Sequence, residues 1–287
     1  MIHRAVPGDE AALEAHLARR SAGSMFLRGN LVAYGLGHAD HPHATTYHLF
    51  PARGPIRAVL GLTRSGMVLC QCAEAPEAIP AFAAALAGQV VSGFSGEAGP
   101  TGALIAALGF DPARDFRMHH VEPLFRLDLA ALPEGEAHLR PPQPDEREML
   151  VGWFAAYMAE TGLGVGDPAA GIAEAQDRAR AAVAPGSSVR LLLCDGRPVA
   201  MAALNARAGA SVQVGGVYVP PGGRNCGLGR AVTRALLAEA RAGGAAEAIL
   251  FANNEAAAQA YRSIGFVQVG EYCIGFLHGP RRAGGQE

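Results

Sequence analysis

The chain of 287 residues contains no lysine; all 24 of its Lys+Arg residues are arginine. That absence removes whole chemistries. No Schiff-base lysine exists, which excludes pyridoxal-phosphate enzymes and lysine-dependent aldolases. No phosphate loop ending in Gly-Lys-Ser/Thr can be written, and the lysine of protein kinases is missing too. Net charge is scarce: −2 at pH 7, with a sequence pI near 6.6. The chain therefore lacks the electrostatic footprint of a nucleic-acid binder. It has no run of about 20 apolar residues to span a membrane, and Met1 to Glu10 has no apolar signal core. The five cysteines, at 70, 72, 194, 226 and 273, are odd in number and fit no disulfide or zinc framework. Reduced thiols and a cytoplasmic location are expected. His38, His41, His43 and Asp40 come nearest to a metal set. No further cysteine or carboxylate completes it, so a solvated loop is the plainer reading and no metal is expected.

The chain is rich in alanine, with 58 residues. Larger apolar side chains still make up about 30% of it, enough for a globular core. The length predicts two domains. Leu127 to Pro144 holds four prolines and few large apolar residues. It marks a boundary between residues 1–130 and 131–287.

In the second half, apolar residues at helical spacing predict a helix over 145–160, capped by Asp145 with Glu148. A second helix opens at Asp167-Pro168. Strands follow over 189–194, 198–206 and 211–219, the first two joined by an Asp195-Gly196 turn. A helix over 227–241, a strand over 248–252, a helix over 255–263 and a final strand pair over 266–277 complete the half. The first half repeats this outline: a helix over 9–20, three strands within 45–72, a helix over 76–86, a strand over 89–94, a helix over 101–108 and a closing hairpin over 118–127. Gly109-Phe110 mirrors Gly265-Phe266. A tandem of two related α+β domains is expected, each a mostly antiparallel twisted sheet flanked by helices.

Two segments carry chemistry. In the first, Val217-Tyr218-Val219 runs through Pro220-Pro221-Gly222-Gly223 into Arg224-Asn225-Cys226-Gly227-Leu228-Gly229-Arg230. Glycines let the backbone bend and approach a ligand. The unpaired amides of a starting helix, with its dipole, form an anion site that needs no lysine. A Gly-rich strand–loop–helix is also an ordinary structural connector. In the second segment, Asn254 and Tyr261 share one helical face, and Ala257 and Ala258 keep that face open. Alone, it reads more commonly as a surface helix with a half-buried tyrosine.

Together the segments resemble the GCN5-related N-acetyltransferase (GNAT) superfamily. Its R/Q-x-x-G-x-G/A signature stands at Arg224 to Gly229, and its N-x-x-A-x-x-x-Y-x-x-x-G-F pattern at Asn254, Ala257, Tyr261, Gly265 and Phe266. The resemblance covers Leu139 to about Leu277. It implies acetyl-CoA wedged between two splayed strands, 211–219 and 248–252, with a bulge at Gly215-Gly216. It implies pantetheine contacts from Val217 and Val219, and pyrophosphate contacts from the amides of Arg224, Asn225, Cys226, Gly227, Leu228, Gly229 and Arg230. Asn254 and Ala257 would face the cofactor arm, and Tyr261 would be the acid that protonates departing thiolate. A tyrosine pKa near ~10 lies close enough to a thiol's ~8.5 for that transfer.

The family's strand glutamate is missing; Gln213 cannot take a proton. Glu160, Glu255, Glu271 or a water relay remain as bases. Cys226 sits in the pyrophosphate loop, which argues against a covalent route. The first half lacks both motifs: Gln71 to Pro76 stands in place of the Gly-rich loop, Glu74 and Glu77 would repel a pyrophosphate, and Ile105 stands where a tyrosine would. A degenerate relative that is structural, or that walls the acceptor site, is expected. The acceptor pocket falls to Thr161 to Gly166, flanked by Glu160 and Asp167, two acids that suit a cationic amine. An N-acetyltransferase for a small-molecule amine is expected, binding neither nucleic acid nor membrane, with a homodimer left open. A non-catalytic acyl-CoA sensor is the alternative.

Overall fold

In the computed structural model, which describes residues 1–36, 40–135, 137–164 and 168–284, the chain divides into two compact units. One holds Met1–Leu124 and the residues from Val269 onward; the other holds Phe125–Gln268.

The first unit contains β1 (His3–Arg4), α1 (Glu10–Ala18), α2 (Ser21–Tyr34), β2 (Thr45–Phe50), β3 (Ala58–Thr63), β4 (Met67–Gln71), α3 (Ile79–Leu86), β5 (Val90–Glu97), α4 (Ala98–Ala107), α5 (Pro112–Asp115) and most of β6 (Phe116–Asp128). Strands β1 to β4 pair antiparallel in chain order, whereas β4 and β5 pair in parallel because α3 crosses between them. Phe82, Leu86, Leu104 and Ile105 of α3 and α4 pack on Val91 and Phe94 in one core. Leu13, Leu17, Leu27 and Leu31 of α1 and α2 pack on Tyr47, Leu49 and Val59 in another. Cys70 and Cys72 are buried in the first of these cores, as small hydrophobes.

The second unit continues with β7 (His138–Arg140), α6 (Arg147–Thr161), α7 (Pro168–Ala182), β8 (Arg190–Cys194), β9 (Arg197–Ala208), β10 (Ser211–Tyr218), α8 (Leu228–Ala242), β11 (Glu247–Phe251) and α9 (Glu255–Arg262), and leads into β12 (Val267–Arg282). Asp195 and Gly196 both have positive φ, 49° and 74°, the turn geometry that suits a two-residue hairpin between β8 and β9. Strands β7 to β10 are antiparallel neighbours, and β10 and β11 are parallel. The apolar stripe of α8, with Val232, Leu236 and Leu237, packs on Val212, Val214 and Leu250. Leu150, Phe154 and Met158 of α6 and Ala175 and Ala179 of α7 pack with Leu191, Met201 and Tyr218. Both units thus repeat one order of pairings, antiparallel strands followed by one parallel pair across a helix. Among the described residues no helix is long and apolar enough to cross a membrane.

Several elements differ from the sequence reading. Helix α2 was not expected; Gly23 and Gly29 dilute its signal, and its apolar residues answer partners far along the chain. The two expected hairpins are single strands, β6 of 13 residues and β12 of 16. At Gly275 the strand leaves room for a ring: a Cβ there would lie 2.7 Å from Phe116. The expected Asp145 cap is not made: α6 begins at Arg147, after a 3-10 turn over Pro144–Glu146 at whose start Glu146 Oε2 accepts from Gln143 N (2.7 Å). The expected single cut after residue 130 also differs from this division. Residues from Val269 pack in the first unit because β12 pairs antiparallel with β5 and buries Tyr272, Cys273 and Leu277 there.

Candidate functional site

The site begins where a ladder stops. Ser211, Val212 and Gln213 of β10 pair with Glu247, Ala248 and Ile249 of β11. The two strands then run on without further pairing to each other, β10 as far as Tyr218. Gly215, Gly216 and Val217 are consequently half-buried although β10 lies between two strands. The register between β10 and β9 shifts twice, between Gln213 and Val214 and between Gly215 and Tyr218. Gly216 takes φ +60°, and the Asn205 amide occupies the place of a Cβ on Gly215. These two glycines make the expected bulge beyond the point where the ladder to β11 ends, while Tyr218 still pairs with Met201 of β9. In the first unit the corresponding pair stays closed. Strands β4 and β5 pair through Cys70 and Gly96, where a Cβ would meet Cys70 O at 2.7 Å.

Beyond β10, Pro221–Gly223 forms a short 3-10 turn, and Asn225 and Gly227 take φ of +62° and +75°. Such alternation turns successive amides toward one side. Helix α8 then starts at Leu228, and Ala231 N donates to Gly227 O (3.0 Å). The amides of Leu228, Gly229 and Arg230 come before any intrahelical acceptor and lie at the positive end of the dipole. A Cβ on Gly229 would find only Val219 Cγ2, at 3.7 Å, and one on Gly222 nothing within 4 Å. These glycines therefore open space rather than fill a packed one. Arg230 and Arg234 line a cleft of about 380 Å³ with Cys226, Gly227 and Ser263. Cys226 is exposed, at the mouth of the loop rather than within a core.

Arg224 is held by its own surroundings. Its Nη2 donates to both Glu160 oxygens (2.7 and 2.9 Å), and its Nε donates to Val219 O (3.1 Å). The Glu160 bond raises its pKa further above the usual arginine value. Sequence reasoning offered Glu160 as a base and missed this pairing, for which spacing gives no signal. Glu255 pairs with Arg262 (2.8 Å), and Glu271 is exposed on the β12 segment of the first unit.

Asn254 caps α9: its Oδ1 accepts from Ala257 N (2.8 Å) and its Nδ2 donates to Asn253 Oδ1 (2.9 Å). The cap fixes where α9 starts, and with it the placement of Tyr261 two turns on. Tyr261 is 7% exposed and packs edge-on against Phe266, centroids 6.0 Å apart. Phe266 N donates to Tyr261 O (3.2 Å), so the Gly-Phe turn closes on the tyrosine. Val217, Val219, Leu228 and Ala257 are partly buried against the same core.

The histidine loop spends its groups locally. His41 stacks on Tyr34, centroids 4.3 Å apart, and Asp40 pairs with Arg64 (3.0 Å). His38 lies outside the described residues, as do Val165, Gly166 and Asp167 of the expected acceptor loop. Among the described residues no cluster of His, Cys, Asp or Glu could hold a metal ion.

An open ladder leading to a Gly-rich helix start fits an extended ligand with a phosphate end. Residues 150–266 match the model of the acetyltransferase (GNAT) family. They form a GNAT domain. Solved structures share the fold along most of the chain. A GNAT-family acetyltransferase from Colwellia psychrerythraea is 13% identical with a TM-score of 0.53, over 96% of this chain and 99% of that one. A GCN5-related N-acetyltransferase from Kribbella flavida is 21% identical with a TM-score of 0.53, over 91% and 95%. A Drosophila protein is 14% identical with a TM-score of 0.61, over 96% and 98%. No curated protein matches the chain. The GNAT domain supports acyl-CoA-dependent acyl transfer as the general activity.

Proposed function

We propose that the protein is an acetyl-CoA-dependent N-acetyltransferase for a small-molecule amine, with the GNAT domain as its catalytic unit. The observation that carries this reading is the gap between β10 and β11, which opens after Gln213 and leads to the amides of Leu228, Gly229 and Arg230. Those amides, with Asn225, Cys226 and Gly227, hold the pyrophosphate without lysine. The backbone of Val217 and Val219 holds the pantetheine arm. Bound acetyl-CoA supplies an acetyl thioester, whose acyl carbon passes to the amine nitrogen as the sulfur leaves. Tyr261 holds a proton at its hydroxyl for the departing thiolate. The proton lost by the amine goes to solvent, because Glu160 and Glu255 are engaged with arginines.

A second reading, a non-catalytic acyl-CoA sensor, draws on Gln213, an amide that cannot take a proton. Thiol release from acetyl-CoA with a panel of amines separates the two. Turnover with an amine supports the transferase; CoA binding with no turnover on any amine overturns it in favour of the sensor. The lysine-free chain helps here, because only its N-terminal amine can contribute self-acetylation.

A further inference from the structure

Gln213 is the last residue of β10 that pairs with β11, and it is 2% exposed. Its Nε2 donates to Val214 O (2.8 Å), the carbonyl of the first residue beyond the ladder. Its Oε1 is buried and has no hydrogen-bond partner among the described residues. Buried carbonyl oxygens are rarely left unpaired, because desolvation then goes uncompensated. Val212 and Val214, on either side, meet their surroundings with hydrocarbon alone. A polar side chain persists here, one hydrogen bond short, at the closed end of the gap. From Val219 to Gln213 the bulged strand spans at most about 20 Å, the fully extended length of six residues. A donor anchored by phosphate at the start of α8 and laid along β10 therefore brings its reactive end toward Gln213.

We propose that Gln213 Oε1 accepts an N–H from the acceptor amine and holds its nitrogen at the closed end of the gap. This rests on the transferase reading above. Gln213 is thus a positioning residue for the acceptor, and it selects for amines with an N–H to donate beside the attacking lone pair. Its Nε2, tied to Val214 O, fixes which end of the amide faces the ligand.

The test uses 15N-labelled full-length protein saturated with CoA. The Gln213 side-chain amide signal is identified by its disappearance in Gln213→Met. Putrescine, glucosamine and phenethylamine are then titrated in separately. The expected result is a saturable shift of that signal with at least one amine. Gln213→Met should raise the KM of that amine roughly 3- to 10-fold while leaving the KM of acetyl-CoA unchanged. A signal unmoved by all three amines, or an unchanged amine KM, overturns the proposal and leaves Oε1 to a structural water. If Gln213→Met does not fold, Gln213→Leu identifies the signal, and the wild-type titration decides alone. CoA that stabilises the protein while the Gln213 signal stays silent removes only this inference. CoA that fails to bind removes the transferase reading with it.

Discussion

Replacing Gly229 with glutamate separates the fold from the ligand. The position lies in the first turn of α8, and a Cβ there meets only Val219 Cγ2, at 3.7 Å. Glutamate is a better helix residue than glycine by about 0.5 kcal/mol. A carboxylate in the first turn adds about 0.3–1 kcal/mol through the dipole. The ligand-free variant should therefore melt about 2–6 °C above the wild type. CoA should behave in the opposite way. A unit charge about 4 Å away costs between about 1 and 4 kcal/mol per phosphate charge, depending on screening. With two phosphate groups the penalty is at least about 2 kcal/mol, or about 30-fold in Kd. Differential scanning fluorimetry with and without CoA reads both effects. At 100 times its Kd, CoA should stabilise the wild type by about 2.7 kcal/mol, a rise of about 5–10 °C. At the same concentration the variant should gain only about 1 kcal/mol. An equal rise in both proteins would refute the placement of the pyrophosphate. A ligand-free variant that melts lower would refute the account of the helix start.

Tyr261→Phe should lower kcat about 10²- to 10⁴-fold while CoA affinity, measured by calorimetry, changes less than about twofold. Glu160→Gln should cost less than about 1 kcal/mol in chemical denaturation, because its pair with Arg224 is exposed. Asp115 is held well below the usual carboxylate range by hydrogen bonds from Arg114, from the Asp111 amide and from Arg281. A depressed folded-state pKa stabilises the fold above the unfolded value near ~4, and that contribution is lost as pH falls through the folded value. Asp115→Asn should therefore lower the melting temperature at pH 7, with the deficit shrinking only as the buffer is taken into the acid range. Truncation after Gln268 should remove hydrogen-exchange protection from β5, which pairs with β12. Protection in α8 and β10, in the other unit, should persist.

What was legible in the sequence was what neighbouring residues decide. The run from Arg224 to Gly229 and the spacing from Asn254 to Phe266 are local, and their backbone follows from glycine, a cap and a helix start. The alternation of apolar residues placed β10 and the stripe of α8 for the same reason. Features that depend on distant partners were hidden. Nothing local says that Arg224 meets Glu160, 64 residues away. Nothing local says that Gly275 must leave room for the Phe116 ring, 159 residues before it in the chain. Gln213 reads as a missing glutamate; that its Oε1 lacks a partner emerges only once the strands around it are in place.

The position of β12 in the chain bears on how the protein is made. The partner that closes the β5 edge begins at Val267, after the whole of the second unit has been synthesised. At about 5–20 residues per second, roughly 10–30 s of translation separate β5 from that partner. Throughout that interval β5 presents an unpaired strand edge, the surface most prone to wrong pairing. The second unit, contiguous from Phe125 to Gln268, can be complete first. The part of the protein that leaves the ribosome first is therefore the part that finishes folding last.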